Sequence, residues 1–240
     1  MELTKKSLIC AGIAAVGLSM GTTAQAEWTA NAALSNNYIW RGLTQTENEA
    51  AISGGIDYAS DSGFYVGTWA SNVSYAPGDV FSYEHDVYFG FSGEAGSVAY
   101  DVGYLYYNYD DEANFDFAEV YGSIGIGGFT LGVNVLAHTE ADEAPGQDFG
   151  FGEALYVYAD YGWEVGNGVE LGIHAGWHDG DFSEAFNGVP GDYVDYNVSV
   201  AKDGFSFMIS TTDLDDVGPD GLDNDEMKFV IGYTHEIGLD

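Results

Sequence analysis

Apolar and polar residues alternate with a period of two along almost the whole chain. From Tyr83 to Phe91 the odd positions are mostly large and apolar, whereas the even positions include two acids and a glycine. The same pattern returns from Val98 to Tyr106 and from Val169 to Trp177. A period of two is the side-chain repeat of a β-strand, and segments of about ten residues have the length of a transmembrane barrel strand. The chain is therefore predicted to be all-β.

Two all-β architectures share this alternation: the soluble β-sandwich and the membrane β-barrel. The composition separates them, since the chain has 34 Gly, 18 Tyr, 14 Phe and 5 Trp. The polar face of the segments is crowded with small residues, which suits a concave lumen that admits water or other side chains. The apolar face carries aromatic residues near the segment ends, where membrane barrels place their interfacial girdles. These features favour the barrel.

The connections alternate between short turns and long loops, as periplasmic turns and extracellular loops do. Counting the segments predicts an antiparallel up-and-down transmembrane β-barrel of about twelve strands, with both termini on the periplasmic side. The five short turns are 60–63, 93–97, 127–128, 166–168 and 202–204. The six long loops are 36–49, 74–82, 108–114, 139–149, 179–191 and 213–224.

The N-terminus has the pattern of a secretory signal peptide. Lys5 and Lys6 precede an apolar run from Leu8 to Met20, and small residues follow at Ala24 and Ala26. The run is too short for a spanning helix, which needs about 20 apolar residues. We therefore expect residues 1–26 to be cleaved and residues 27–240 to form one barrel domain. Cys10, the chain's one cysteine, is lost with the signal peptide, so no disulfide is expected.

The mature chain is strongly acidic. Residues 27–240 contain 38 acidic and three basic residues, a formal charge of −35. A nucleic-acid partner is excluded on this ground, because binding a polyphosphate requires a surplus of Lys and Arg. The high aromatic content argues against disorder.

Four blocks carry a resemblance to a known family. The first block, residues 35–46, reads Ser-Asn-Asn-Tyr-Ile-Trp-Arg-Gly-Leu-Thr-Gln-Thr. The other three blocks that carry the resemblance are residues 52–58, 63–73 and 84–90. The chain resembles the Gcw_chp family of exported proteobacterial proteins, also described as TorF-type porins. The similarity extends over essentially the whole mature chain. It implies an outer-membrane barrel with a transport role, and it supplies no catalytic residues.

Arg41 is the only arginine in the chain. If the alternation of outward and inward residues in the first strand continues as far as Arg41, that side chain points inward. The outward, lipid-facing positions would then include Trp28, Leu34, Tyr38 and Trp40. An arginine in an acidic lumen is expected to form a bidentate ion pair, here with Asp57. Two roles remain open for Arg41: it locks the first hairpin, or it meets passing solutes at a constriction.

The same parity places several acids in the lumen. Rings of acids favour cations in pores. The alternative is that acids fall on every wet surface of so acidic a protein. The predicted channel-lining residues are Arg41, Asp57, Glu84, Asp86, Asp101, Glu119, Glu170, His174 and Asp195.

Metal and catalytic sites receive little support. His174 and His178 share a strand face, but four residues separate them by about 13 Å at ~3.3 Å per residue, too far to share one ion. The acidic loop from Asp213 to Glu226 is expected to be solvated, with weak calcium binding as the alternative. No catalytic metal, cofactor or nucleophile motif is present, so the chain is not predicted to be an enzyme.

Together these features predict a porin-like barrel in the outer membrane of a Gram-negative cell. Its partners would be the lipid bilayer and small cationic or neutral solutes that diffuse through it passively. Twelve strands lie between the filled barrels of eight and the open channels of sixteen or more. Two rivals remain: a non-conducting barrel that acts as a structural protein or adhesin, and, with less support, a barrel hydrolase at the cell surface.

Overall fold

The computed structural model describes residues 26–188, 191–214 and 223–239, and within them twelve long strands close into one antiparallel barrel. The predicted signal peptide lies outside the described residues except for Ala26. The elements are β1 (Glu27–Ser35), β2 (Ile39–Trp40), β3 (Leu43–Thr44), β4 (Ala51–Ala59), β5 (Phe64–Asn72), β6 (Tyr83–Ala95), β7 (Val98–Asn108), β8 (Phe117–Ile126), β9 (Phe129–Thr139), β10 (Leu155–Gly166), β11 (Val169–Asp179), α1 (Asp181–Asn187), β12 (Tyr193–Lys202), β13 (Phe205–Thr212) and β14 (Lys228–Gly238).

The barrel is formed by β1 and β4 to β14, each paired with its neighbour in the chain, and it closes because β1 pairs with both β4 and β14. This confirms the predicted class and the count of twelve. Short turns and long connections alternate as expected: β8 and β9 are joined by Gly127 and Gly128 alone, whereas residues 140–154 connect β9 to β10. The barrel therefore has a short-turn end and a long-loop end.

The outer surface of the wall is apolar. Along β6, Val87, Phe89 and Phe91 are exposed, whereas the residues between them are buried. At the short-turn end, outward aromatic side chains form pairs, with ring centroids 5.0 Å apart for Trp28 and Tyr58. Pairs of this kind at the strand ends are typical of the interfacial girdles of membrane barrels.

Among the described residues, no helix combines the length and the apolar character needed to cross a bilayer.

Tyrosine rings fill much of the interior of the wall by lying over glycines on neighbouring strands. Tyr88 lies over Gly67 and Tyr156 lies over Gly176, so closely that a Cβ at either glycine would overlap the ring. Such aromatic–glycine pairs fix strand register. Along β10 apolar and polar residues alternate only weakly, because the inward face there carries Tyr156, which a hydropathy pattern counts as apolar.

The chain leaves the barrel wall immediately after Ser35. The side chain of Asn36 replaces the missing strand partner, because its Nδ2 donates to Phe229 O at 2.9 Å and its Oδ1 accepts from Ile231 N at 2.7 Å. Residues 36–49 then fold into the lumen, where β2 pairs with β3. We call residues 36–49 the luminal hairpin.

The luminal hairpin corrects one prediction. Tyr38 and Trp40 do not face lipid: they are 0% and 5% exposed and belong to the interior core. Strand parity holds only while the chain remains in the sheet, and the sheet ends at Ser35. The expectation holds for Trp28 and Leu34, which are exposed on β1.

An aromatic cap covers the luminal hairpin at the long-loop end. It consists of Tyr109, Phe117, Phe182 and Phe186, two of which come from α1, and it packs against Trp40 of the hairpin. The ring of Phe186 lies 5.6 Å from Trp40 and 5.2 Å from Phe117, in edge-on geometry. Edge-on contacts of this kind contribute about 0.5–1.5 kcal/mol each beyond the burial of area.

Candidate functional site: the luminal constriction

The tip of the luminal hairpin is a two-residue turn formed by Arg41 and Gly42. Both have positive φ, 46° and 82°, as a two-residue hairpin turn with matching twist requires. Gly42 is also needed for close approach, because a Cβ there would lie 2.6 Å from Asp195 Cβ and 2.6 Å from Thr212 Cγ2. The tip therefore rests directly against the wall at β12 and β13.

Arg41 forms an ion pair with Glu119 on β8 in which one guanidinium nitrogen contacts both carboxylate oxygens. Its Nη2 donates to Glu119 Oε1 at 2.8 Å and to Oε2 at 2.6 Å. The prediction that Asp57 is the partner of Arg41 is wrong. Asp57 lies on β4 and accepts a hydrogen bond from the hydroxyl of Tyr88 instead. The inward turn of the hairpin carries Arg41 away from β4 and across the lumen.

Aromatic rings enclose the Arg41 guanidinium on both sides. Its Cζ lies 4.1 Å from the ring centroid of Trp40 and 4.4 Å from that of Tyr156. Burial alone would lower the pKa of Arg41, but the carboxylate of Glu119 outweighs it and the pKa is raised. Arg41 is thus a permanent positive charge held at a fixed point in the lumen.

Glu119 is positioned by an irregularity in the wall. The register between β8 and β9 shifts between Ala118 and Glu119, which is a β-bulge. Bulges re-aim side chains, and here the carboxylate also accepts from Asn134 Nδ2 at 3.0 Å and from the Tyr107 hydroxyl at 3.3 Å. These donors compensate the cost of burying Glu119.

His178 completes the contacts of Arg41. Arg41 Nη1 lies 3.1 Å from His178 Nε2, and an arginine can only donate, so Nε2 accepts and the proton of the neutral ring is on Nδ1. That nitrogen lies 3.3 Å from the Tyr193 hydroxyl, which itself donates to Arg41 O at 3.0 Å. Both ends of the arginine are therefore fixed to β11 and β12.

Glu84 and Asp86 occupy successive inward positions on β6, as predicted, but their surroundings differ. Glu84 is 1% exposed and accepts from the hydroxyls of Tyr38 and Tyr109, each at 2.7 Å. Burial, followed by the charge of Glu84, raises the pKa of Tyr38, which keeps that hydroxyl a donor. Asp86 is 5% exposed, and no described residue donates a hydrogen bond to its Oδ1.

His174 lies between two aspartates. Its Nδ1 is 2.6 Å from Asp160 Oδ1, and its Nε2 is 3.1 Å from Asp195 Oδ1. The Tyr156 hydroxyl lies 2.7 Å from the same Nε2 and 3.0 Å from Asp195 Oδ2. His174 and Asp195 were predicted, and the structure adds Asp160 and Tyr156. His174 and His178 have separate partners.

The remaining predicted lining residues lie toward the short-turn end. Asp57 and Asp101 are half-buried, and Asp101 accepts from the Tyr65 hydroxyl at 2.6 Å. Glu170 is not brought to the constriction. It lies beside the turn between β10 and β11, paired in register with Glu164.

The acidic loop from Asp213 to Glu226 lies largely outside the described residues, since 215–222 are not described. Within its described part, Asp213 accepts from Val194 N at 2.7 Å. No group of three His, Cys, Asp or Glu side chains converges as metal ligands in the described ranges.

The tyrosines and the Thr-Gln-Thr segment of the hairpin were missed as site residues. Gln45 joins the hairpin to the loop between β5 and β6, because its carbonyl accepts from Ser74 N at 2.9 Å and its Oε1 accepts from the Tyr75 hydroxyl at 2.8 Å. Thr44 donates to Asn37 Oδ1 at 2.6 Å within the hairpin. The usable signal was Arg-Gly between Ile39-Trp40 and Leu43-Thr44, since a glycine at the second position suits a tight two-residue turn.

Comparison with known proteins gives a family and a fold. The family model described as "Bacterial protein of unknown function (Gcw_chp)" matches residues 19–221. No curated protein matches the chain. The KdgM porin superposes with a TM-score of 0.53 at 6% identity, covering 86% of this chain and 98% of that chain. The KdgM porin in complex with disordered oligogalacturonate gives 0.53 at 5% identity, covering 87% and 98%.

A third solved chain, from work on the mechanism of in-meso crystallization of membrane proteins, gives a TM-score of 0.55 at 9% identity, covering 89% of this chain and 84% of that chain. At such low identity, likeness establishes the fold alone.

Proposed function

This chain belongs to the Gcw_chp family of bacterial proteins, and we propose that it is an outer-membrane channel through which small solutes diffuse, with the luminal hairpin as its constriction. The observation that carries the proposal is a closed barrel whose outer wall is apolar and whose lumen holds a fixed, charged hairpin. Inward-folded segments that narrow a barrel are a way to set pore width and field at one level of the lumen.

The proposed solutes are cationic or neutral. Seven inward acids face the lumen against Arg41 and the buried Lys228: Asp57, Glu84, Asp86, Asp101, Glu119, Asp160 and Asp195. Arg41 is already paired with Glu119, so the remaining field is negative. A polyanion such as the oligogalacturonate bound by the KdgM porin would be repelled by this lumen, and we do not extend that ligand to this chain.

A second candidate is a non-conducting barrel with a structural role. The aromatic cap favours it, because Trp40, Tyr109 and Phe117 are buried at the long-loop end together with the hairpin. Under this alternative the barrel would present its acidic loops outside the cell and pass no ions.

Planar-bilayer recording distinguishes the two candidates. Purified protein is reconstituted, and the reversal potential is measured under a tenfold gradient of KCl. A channel of the proposed kind gives single-channel current steps, and its reversal potential has the sign expected when potassium is the more permeant ion. This cation preference weakens as the salt concentration rises, because the Debye length falls from about 10 Å at 0.1 M to about 3 Å at 1 M. Anion preference would overturn the charge assignment. An absence of steps, in protein shown to be folded, would favour the structural role.

A further inference from the structure

Asp86 is the exception among the buried acids of the lumen. Tyrosine hydroxyls donate to Glu84 and Asp195, and Arg41 pairs with Glu119. Asp86 is equally buried, at 5% exposed, yet its Oδ1 receives no hydrogen bond from any residue within the described ranges. Burying a carboxylate oxygen without a partner is costly, so such an atom requires an explanation.

The neighbours of Asp86 do not supply a compensating charge. The charged groups that act on it are Glu84 and Glu119, both negative. The one arginine of the lumen is already paired with Glu119, through Nη2 to both carboxylate oxygens. The carboxylate of Asp86 is therefore in a locally negative environment that would be stabilised by a positive group.

Aromatic residues flank Asp86 on both sides. In the register of the wall, Trp69 on β5 and Tyr107 on β7 lie opposite Asp86 and on the same face of the sheet. Trp69 also packs against Tyr38 of the luminal hairpin, with ring centroids 5.5 Å apart. Carboxylate and aromatic faces together are the surroundings that organic cations prefer.

Arg41 shows the same chemistry within this chain. Its guanidinium lies over Trp40 and Tyr156 and pairs with Glu119. Asp86 with Trp69 and Tyr107 repeats the residue types of that set, one carboxylate and two aromatic side chains, although one face of the Tyr107 ring is stacked on Phe117 at 4.2 Å.

We propose that Asp86, with Trp69 and Tyr107, is a binding subsite for the ammonium group of a solute. A bare metal ion is disfavoured, since no three carboxylate or imidazole ligands converge among the described residues. An ammonium group carries three N–H donors, one of which the free carboxylate oxygen of Asp86 would accept, and aromatic rings attract its positive charge. The inference rests on the proposed channel function and names its substrate class as small primary amines.

The test is calorimetric titration of the full-length folded barrel in detergent, with n-butylammonium chloride as the probe. Sodium chloride and 1-butanol serve as the charge and shape controls. Wild-type protein is expected to bind n-butylammonium more tightly than either control. Asp86→Asn is expected to raise the Kd for n-butylammonium at least about tenfold, because one charge-assisted hydrogen bond is lost. The Kd of Asp86→Glu should stay within a few-fold of the wild-type value.

Asp61→Asn is the matched control. It also neutralises one acid, but that acid is exposed in a turn outside the lumen, so its Kd should change less than about twofold by the same measure. Equal losses in the two Asn variants, or n-butylammonium binding no tighter than 1-butanol, would overturn the subsite. Because Asp86→Asn keeps the size and shape of the side chain, it should fold, which heat-modifiable gel mobility checks. If the protein binds n-butylammonium but does not conduct, the subsite is supported and the channel function is rejected. If it conducts but does not bind, the channel function is supported and the subsite is rejected.

Discussion

Arg41 Nη2 lies 2.6 Å from Glu119 Oε2, so the connection between β1 and β4 is tied to a strand nearly opposite in the wall. Around the barrel, β8 is five strands from β1 in one direction and seven in the other. The pair therefore spans the lumen. This relationship makes the luminal hairpin part of the barrel interior rather than an external loop.

Breaking this pair from one side should destabilise the barrel. Arg41→Gln leaves Glu119 buried without a counter-charge, which costs about 3–5 kcal/mol. The double variant Arg41→Gln/Glu119→Gln removes both charges and should recover most of the loss. The temperature at which the folded band disappears in unboiled gels measures both effects. A single variant as stable as wild type would show that the pair does not hold the hairpin.

Gly42→Ala should displace the hairpin tip from the wall. The added Cβ would lie 2.6 Å from Asp195 Cβ and from Thr212 Cγ2, and neither atom belongs to a flexible chain end. Gly78→Ala is the control, because Gly78 has φ 83°, like the 82° of Gly42, but nothing within 4 Å of its Cβ. Backbone strain is thus matched and only contact differs. We expect Gly42→Ala alone to increase protease cleavage within residues 36–49, and equal cleavage in both variants would contradict this.

The inward and outward faces of the barrel wall could be predicted from sequence, because the alternation that sets them depends only on neighbouring residues. A two-residue period places Val87 and Phe89 outside and Glu84 and Asp86 inside, whatever the rest of the chain does. The turns followed for the same reason, since Gly127 and Gly128 close their hairpin without help from distant residues.

The luminal hairpin could not be predicted by this rule. Its position depends on partners far away in sequence: Tyr38 donates to Glu84, and Arg41 pairs with Glu119. Parity carried through Ser35 therefore placed Tyr38 and Trp40 on the wrong side. The tyrosine partners of the acids were missed for a related reason, since a tyrosine reads as apolar although its hydroxyl is a donor.

Sidedness follows from the long and short connections. A tag inserted within residues 141–146, in the long connection between β9 and β10, should be labelled on intact cells. A tag within 166–168, at the turn between β10 and β11, should be labelled only after the outer membrane is permeabilised. Labelling in the reverse order would mean that the barrel is inserted with the opposite orientation.

Neutralising the acids nearest the short-turn end should weaken cation preference. The triple variant Asp57→Asn/Asp101→Asn/Glu170→Gln makes the electrostatic potential less negative near the short-turn end of the lumen, where these three side chains are half-buried. Its control neutralises three exposed acids outside the lumen, Asp61→Asn/Asp111→Asn/Glu112→Gln. We expect a smaller reversal potential under a KCl gradient in the first variant only. A shift of equal size in both would mean that overall charge, not the lumen, sets selectivity.

The most direct test of the account compares single-channel conductance with and without the luminal hairpin. Replacing residues 37–49 by Gly-Ser-Gly-Ser, together with Glu119→Gln so that no carboxylate is left without its partner, should leave the wall intact, because Ser35 and Ala51 are already paired in register. The account predicts small cation-selective steps for wild type and several-fold larger steps for the variant, since the constriction and its aromatic contacts are gone. Conductance unchanged by the replacement, or no conductance in either protein, would contradict it.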